Sequence, residues 1–246
     1  MAKLAIIGGT GLTSIDELQI VSNKAVDTPY GAPSAPLVVG ELANKEIIFL
    51  ARHGNSHTIP PHKINYRANI WALKSVGVTD VIAVAAVGGI HKDIAPEKIA
   101  IPDQIIDYTY ARKHTFFEDN LSNVTHIDFT HPYSEGLRQK LLQAAIECDL
   151  NVSNGGVYGA TQGPRLETAS EIKRMQKDGC DMVGMTGMPE ASLAKELGLN
   201  YACCALSVNW AAGKGGNEIT MQEIEQAIKV GIVSVKKLLI ILLSKA

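Results

Sequence analysis

Arg52-His53-Gly54 stands at the end of a short apolar run, Glu46-Ile-Ile-Phe-Leu-Ala51. An arginine can hold an oxyanion through two parallel N–H bonds, and a neighbouring histidine adds a donor whose charge responds near neutral pH. Two more segments share this form. Leu4-Ala-Ile-Ile7 runs into Gly8-Gly-Thr-Gly-Leu12. There glycines let the backbone approach a ligand, free N–H groups can cradle an anion, and Thr10 adds a hydroxyl. Asp181-Met-Val-Gly-Met185 runs through Thr186-Gly187-Met188 into Pro189-Glu190, the expected start of a helix ending at Leu197. Pro suits the first helical position and Glu in the first turn complements the helix dipole. Thr186 can donate a hydroxyl hydrogen bond, and Met185 offers an apolar, polarizable face. Each segment also has a plain structural reading: a tight turn, a solvated loop, or a buried strand with a turn after it. The glycine-rich turn is not a good dinucleotide fingerprint, because Ser14 takes the last glycine position, and it is not a P-loop, because no Gly-Lys-Ser/Thr follows.

The elements that must position these groups alternate between strand and helix along the chain. Val81-Ile-Ala-Val-Ala-Ala-Val87 is apolar throughout, as expected of a central strand covered on both faces, and it closes in Gly88-Gly89. Residues 20–40 read as strands and loops, with Pro29, Pro33 and Pro36 excluding helix. His57, Pro60, Pro61 and His62 form an irregular polar loop, a lid or an interface, before a helix from Asn65 to Val76. Residues 99–103 and 104–108 read as an extended pair, followed by a polar, aromatic-bearing loop over 109–130 whose length points to function or an interface. A helix over Leu137–Ala145 and a strand over Gly156–Ala160 lead to Thr161-Gln-Gly-Pro-Arg-Leu-Glu-Thr168. Glu167 falls near the start of a helix through Met175, where capping is its ordinary role. The last buried strand, Tyr201–Val208, ends at Asn209, with Trp210 and Ala211 beyond it. Thr220 and Glu223 form a capping box for a final helix, Met221–Ser244. The expectation is one α/β domain over 1–246 around a mostly parallel sheet. The switch-point rule would gather several of its strand-end groups in one crevice.

Composition narrows the classes. The net charge is −2 with no clustered Lys/Arg, which argues against nucleic acid as a main partner. Cys148, Cys180, Cys203 and Cys204 show no metal spacing and read as free thiols of a cytoplasmic protein. Residues 1–20 lack a signal-peptide pattern, and the longest apolar run, Leu238 to Leu243, is far short of the ~20 residues that span a membrane.

Taken jointly, Gly8–Leu12, Ala51–Gly54, Asn65–Leu73, Gln162–Arg165 and Val183–Glu190 make the chain resemble the trimeric purine nucleoside phosphorylase and methylthioadenosine phosphorylase family. The likeness covers nearly the whole chain, with the motifs in the family order. It implies a single α/β domain with a twisted, mixed central sheet flanked by helices, and a homotrimer with sites near subunit interfaces. It implies phosphorolysis of a purine nucleoside, with inorganic phosphate as co-substrate and neither cofactor, metal nor covalent nucleophile. By resemblance Thr10, Arg52, His53 and Thr186 bind phosphate. Ala86 can contribute only its backbone N–H, since Val84, Ala85 and Ala86 stand where some members carry a hydroxyl or amide. Met185 packs on the ribose. Asn209 holds the purine near N7 and helps the base leave, with Trp210 and Ala211 beside it.

Two positions bear on the substrate. Adenine-specific members carry aspartate where this chain has Asn209, and the 6-oxopurine members carry a glutamate matching Glu167 that accepts from purine N1–H. A 6-oxopurine has that N1–H to donate, whereas adenine N1 is an acceptor and would repel a carboxylate. The ordinary nucleoside enzymes direct a histidine at the 5′-hydroxyl, and the nearest counterpart here is the apolar Met221. An apolar slot suits a 5′-methylthio group. The expected substrate is therefore S-methyl-5′-thioinosine, with the 6-oxopurine nucleosides and methylthioadenosine as alternatives. A non-catalytic nucleotide-binding module, suggested by Gly8–Leu12 alone, would leave Arg52, His53 and Thr186 unexplained. His126 is a candidate to reach a neighbouring subunit's site, and His57 and His62 have open roles.

Overall fold

The apolar segment Asp80–Gly89 is buried along nearly its whole length. The fold is arranged around it in a computed structural model, which describes residues 3–9, 19–119, 121–216 and 218–244. In chain order the strands β1 (Leu4–Gly8), β2 (Gln19–Lys24), β3 (Leu37–Leu42) and β4 (Lys45–Ala51) come first. Helix α1 (Tyr66–Ser75) precedes β5 (Asp80–Gly89), β6 (Ile99–Ile101) and β7 (Gln104–Asp107). Then come α2 (Glu135–Glu147), β8 (Val152–Asn154), β9 (Val157–Ala160), α3 (Ala169–Lys177), β10 (Met182–Gly184), α4 (Gly187–Glu196), β11 (Asn200–Trp210) and α5 (Met221–Ser244).

The strands form one 11-stranded sheet. One path runs β2-β3-β4-β1-β5-β10-β9-β7, while β11 joins β5 to β6, and β6 joins β8. β5 runs parallel to β1 and β11, and β9 runs parallel to β10 and β7. The β2/β3, β3/β4, β5/β10 and β6/β11 pairs are antiparallel, so the sheet is mixed and mostly parallel, as expected. The expected extended pair over 99–108 is instead two strands with separate partners: β6 joins β11 and β8, and β7 joins β9.

One edge of β5 is shared, and this decides where the site lies. Leu4–Ile7 pair with Asp80–Ala83, and Met182 and Val183 pair with Gly89 and Gly88. Neither strand pairs with Val84–Val87 on that edge, while β11 follows the opposite edge of β5 throughout. The sheet therefore splits beside the middle of its most buried strand. Gly88 permits the close approach where it rejoins, since a Cβ there would stand 3.3 Å from both Val183 Cγ1 and the Ala211 Cα.

Three boundaries differ from expectation for local reasons. β11 continues to Trp210 through a bulge between Ser207 and Asn209, which re-aims Asn209 on the strand. Helix α3 starts at Ala169 with Thr168 and Glu171 as its capping box, so Glu171 caps the helix and Glu167 does not. Within α4 the backbone leaves helical values at Met188 (φ −120°, ψ 141°), and Glu190 is fully buried instead of serving the helix dipole at the surface. The capping box of Thr220 and Glu223 is present, with Glu223 N–H 3.2 Å from Thr220 Oγ1. Helices α2 and α5 pack on each other and on β11, and α4 packs on α1, β9 and β11. Among the described residues no helix is long and apolar enough to cross a membrane.

Candidate active site

The split beside β5 opens into a cavity of about 440 Å³. The ends of β1, β4, β5, β10 and β11 and three loops line it, and their chemistry sorts into a cationic, N–H-bearing region where the anion site was expected, a polar wall and an apolar mouth.

At the anion region, β4 ends at Arg52, which is 1 % exposed. Its parallel fork, expected to face an oxyanion, is directed elsewhere: Nε lies 2.7 Å from Glu190 Oε2 and Nη2 lies 2.8 Å from Glu190 Oε1. Tyr201 backs the carboxylate, its hydroxyl donating to Oε1 at 2.8 Å. Burial works against the guanidinium's charge, but the charge and hydrogen bonds of Glu190 outweigh it and hold the pKa above its ordinary value. Nη1 donates to the Val84 carbonyl at 3.0 Å, on the open edge of β5. Its second N–H remains at the cavity wall, where a Cβ on Gly9 would come within 3.3 Å of Nη1. Backbone groups alternate between the two edges along a strand. Ala86, two residues beyond Val84, therefore turns its N–H to the same open edge, and it lines the cavity.

His53 does not behave as a donor that charges near neutral pH. Burial first, then the charge of Arg52, brings its pKa down to about 4, with only partial relief from the Ile59 carbonyl. The ring is therefore neutral at pH 7. Its Nδ1 lies 2.8 Å from the Ile59 carbonyl, which can only accept, so Nδ1 carries the proton and Nε2 is an acceptor. The His57 ring packs against it at 4.6 Å between centroids, and burial lowers the His57 pKa too. Thr186 precedes α4 but spends no side-chain bond on capping it, and it is buried on the cavity wall. Thr10 lies outside the described residues.

On the polar wall, Glu167 and Asn209 line the same cavity. Glu167 Oε1 accepts from Thr161 Oγ1 at 2.6 Å. Asn209 Nδ2 donates to the Trp210 carbonyl at 2.7 Å, which leaves the amide a second N–H. Ala211 and Met185 line the cavity as well. Trp210 does not: it lines an adjoining cleft with Glu97 and Gly215, because the strand alternation after the bulge sends it away from Asn209. The mouth is apolar, built from Ile219, Met221, Ile224 and Leu166. Met221 is 65 % exposed there. Of the remaining histidines, His57 lines the cavity, whereas His126 is exposed in the 109–130 loop.

Sequence reasoning missed four residues that hold this arrangement: Glu190, Tyr201, Thr161 and Arg112. Arg112 comes from the long polar loop yet is buried, and it ties the two walls together. Its Nη1 donates to the Met185 carbonyl at 2.9 Å and its Nη2 to the Gln162 carbonyl at 2.8 Å. A lone arginine in a loop carries no signal of such a role.

Comparison with known proteins agrees with this geometry. The family model described as the phosphorylase superfamily matches residues 3–244. A probable S-methyl-5′-thioinosine phosphorylase of Pseudomonas syringae pv. tomato is 55 % identical over 244 residues, covering 99 % of each chain. A probable 6-oxopurine nucleoside phosphorylase of Thermococcus kodakarensis is 43 % identical, over 91 % of this chain and 85 % of its own. Among solved structures, methylthioadenosine phosphorylase from Schistosoma mansoni in complex with adenine superposes with a TM-score of 0.95. It is 32 % identical and covers 100 % of this chain and 92 % of its own. The chain belongs to the phosphorylase superfamily, as a pentosyltransferase of the nucleoside phosphorylase type.

Proposed function

We propose that the protein cleaves S-methyl-5′-thioinosine with inorganic phosphate, giving hypoxanthine and 5-methylthioribose-1-phosphate. The observation that carries this reading is one cavity with a carboxylate and an amide on its wall, Glu167 and Asn209, and an apolar mouth at Met221, Ile219 and Ile224. The likeness to curated methylthioinosine and 6-oxopurine phosphorylases supports both halves.

The proposed chemistry uses these groups together. Phosphate sits against the open edge of β5, held by the second Nη1–H of Arg52, the Ala86 N–H and the Thr186 hydroxyl, with Thr10 assigned to the same anion by family resemblance alone. Neutral His53 accepts a hydrogen bond at Nε2 from the P–O–H of hydrogenphosphate, so the dianion binds without His53 needing a charge. Met185 packs on the ribose. The C1′–N9 bond breaks with its electron pair going to the purine, and a phosphate oxygen bonds to the cationic C1′. Asn209 donates its second amide N–H toward N7, where charge builds on the leaving base, and Glu167 accepts from N1–H. The departing base takes up one proton, balanced by the one that hydrogenphosphate gives up as its oxygen bonds to C1′. No cofactor enters these steps.

We read residues 1–246 as one catalytic unit working as a cytoplasmic homotrimer. Free, buried cysteines support the first location. The exposure of Met221 and Leu166 at the cavity mouth supports a neighbouring subunit there. His57 on the cavity wall favours a second reading, an inosine and guanosine phosphorylase in which it meets the 5′-hydroxyl. Base release from methylthioinosine, methylthioadenosine and inosine, with and without phosphate, separates the readings. Preference for methylthioinosine supports the proposal, preference for inosine removes the apolar slot, and release without phosphate removes the anion site.

A further inference from the structure

Glu167 can discriminate between bases only while the oxygen that meets N1 acts as an acceptor. A protonated carboxyl would donate to adenine N1 as readily as the carboxylate accepts from hypoxanthine N1–H. Something must hold that oxygen toward the base, and the wall supplies one candidate. Thr161 follows β9, its backbone N–H donating to the Gly184 carbonyl at 2.8 Å, and its side chain is 8 % exposed. Its hydroxyl has a single proton and two acceptors within reach: Glu167 Oε1 at 2.6 Å and the Gly184 carbonyl at 3.3 Å. The shorter contact goes to the carboxylate, as a charge-assisted bond should. That proton occupies Oε1 and leaves Oε2 as the oxygen that meets the base. Arg112 fixes the backbone behind this contact, with Nη2 3.1 Å from the Thr161 carbonyl and 2.8 Å from the Gln162 carbonyl. Glu167 is thus freed from helix capping by Glu171 and held instead by Thr161.

We infer that Thr161 is a specificity-determining positioning residue: its hydroxyl holds Oε1 of Glu167 and turns Oε2 to the base, so the pocket takes bases with a proton on N1 and rejects those whose N1 is a lone pair. This rests on the 6-oxopurine reading above.

The test is the ratio of kcat/KM for methylthioinosine to that for methylthioadenosine. Thr161→Val keeps the shape and removes the donor, and the ratio should fall by about tenfold or more, the scale of a lost hydrogen bond to a charged group. Thr161→Ser should keep the ratio within about twofold, as retention of the donor requires. Both variants should leave the KM for phosphate within about twofold, since on these distances the hydroxyl serves the base wall and not the anion region. In a Glu167→Gln background, Thr161→Val should no longer move the ratio. Should valine disturb folding, Thr161→Ala serves in its place. An unchanged ratio in Thr161→Val overturns the proposal, as does an equal fall in Thr161→Ser or a fall that persists without the Glu167 carboxylate. A wild-type protein with no preference for the 6-oxopurine would overturn the underlying reading and this proposal with it.

Discussion

The anion region and the mouth of the cavity are built from different material. Arg52 and Glu190 are 1 % and 0 % exposed, set at a strand end and near a helix start and braced by Tyr201. Met221 and Leu166 are 65 % and 43 % exposed, on a helix start and a loop. On the proposed reading, the group that meets the same phosphate in every turnover sits in the core, where a low dielectric strengthens its bonds and packing fixes its place. On the same reading, the group that chooses among sugars sits at the rim, where a change costs the fold little. The two regions should therefore answer mutation and pH in opposite ways.

The largest effect should come from Glu190. Glu190→Gln leaves the buried Arg52 cation without its counter-charge, which should cost about 3–5 kcal/mol of stability in phosphate-free buffer. Phosphate should restore part of this by supplying an anion to the same guanidinium, and stabilise the variant more than it stabilises the wild type. Denaturant unfolding with and without phosphate reads both quantities. A loss under about 1 kcal/mol would mean that the pair does not brace the anion region.

The pH response should come next. Unfolded, the His53 imidazole titrates near 6.5; folded, at about 4. Between these values the unfolded chain binds more protons, so the stability present above pH 6.5 is lost as pH falls toward 4. The steepest slope is about 1.4 kcal/mol per pH unit and the full loss about 3 kcal/mol. Comparing unfolding midpoints of the wild type and His53→Gln from pH 7 to pH 4 isolates this contribution, because the other carboxylates and histidines are common to both. Parallel curves would show that His53 is not held neutral by its surroundings.

The polar wall falls between core and rim. Asn209→Asp replaces an amide donor with an acceptor, which suits an exocyclic amino group and not a 6-oxo oxygen. Preference between methylthioinosine and methylthioadenosine should move toward the adenine nucleoside by about 5- to 150-fold, the scale of one buried polar mismatch. Initial rates on the two nucleosides measure it, and an unmoved ratio would take Asn209 out of base recognition.

The two regions were also unequally legible in the sequence. The continuous apolar runs of β1, β4, β5 and β11 are core strands whatever surrounds them, and the groups at their ends mark the crevice. The strand pairing was not legible: that β1 and β10 share one edge of β5 depends on contacts between residues 76 to 95 positions apart, which no local pattern encodes. For the same reason Arg52 read as a free anion fork. Its partner Glu190, 138 residues away, had a sufficient local explanation as the first-turn acid of a helix. Glu167 was open to the converse error, and only the observed capping by Glu171 removes its local role. Trp210 was placed beside the base by its position next to Asn209, but the alternation of side chains along β11 turns it into the neighbouring cleft.

The smallest effect, and the sharpest contrast with Glu190, should come from Met221. The residue opens α5 beside Ile219 and Ile224 and is largely exposed, so changing it should move stability by no more than about 0.5 kcal/mol. Met221→His removes an apolar contact with a 5′-methylthio group and offers a polar partner to a 5′-hydroxyl. One lost methylene-sized contact is worth about 0.8 kcal/mol, roughly fourfold. A gained hydrogen bond to the hydroxyl is worth about 1 kcal/mol, roughly fivefold. The ratio of kcat/KM for methylthioinosine to that for inosine should therefore fall by about fourfold to twentyfold, while the KM for phosphate and the preference for 6-oxopurines stay as they were. Unfolding midpoints and the two nucleoside rates test the point together. A variant that lost stability as Glu190→Gln does would show that the mouth is part of the core after all, and the division between a fixed anion region and an adjustable sugar end would fail.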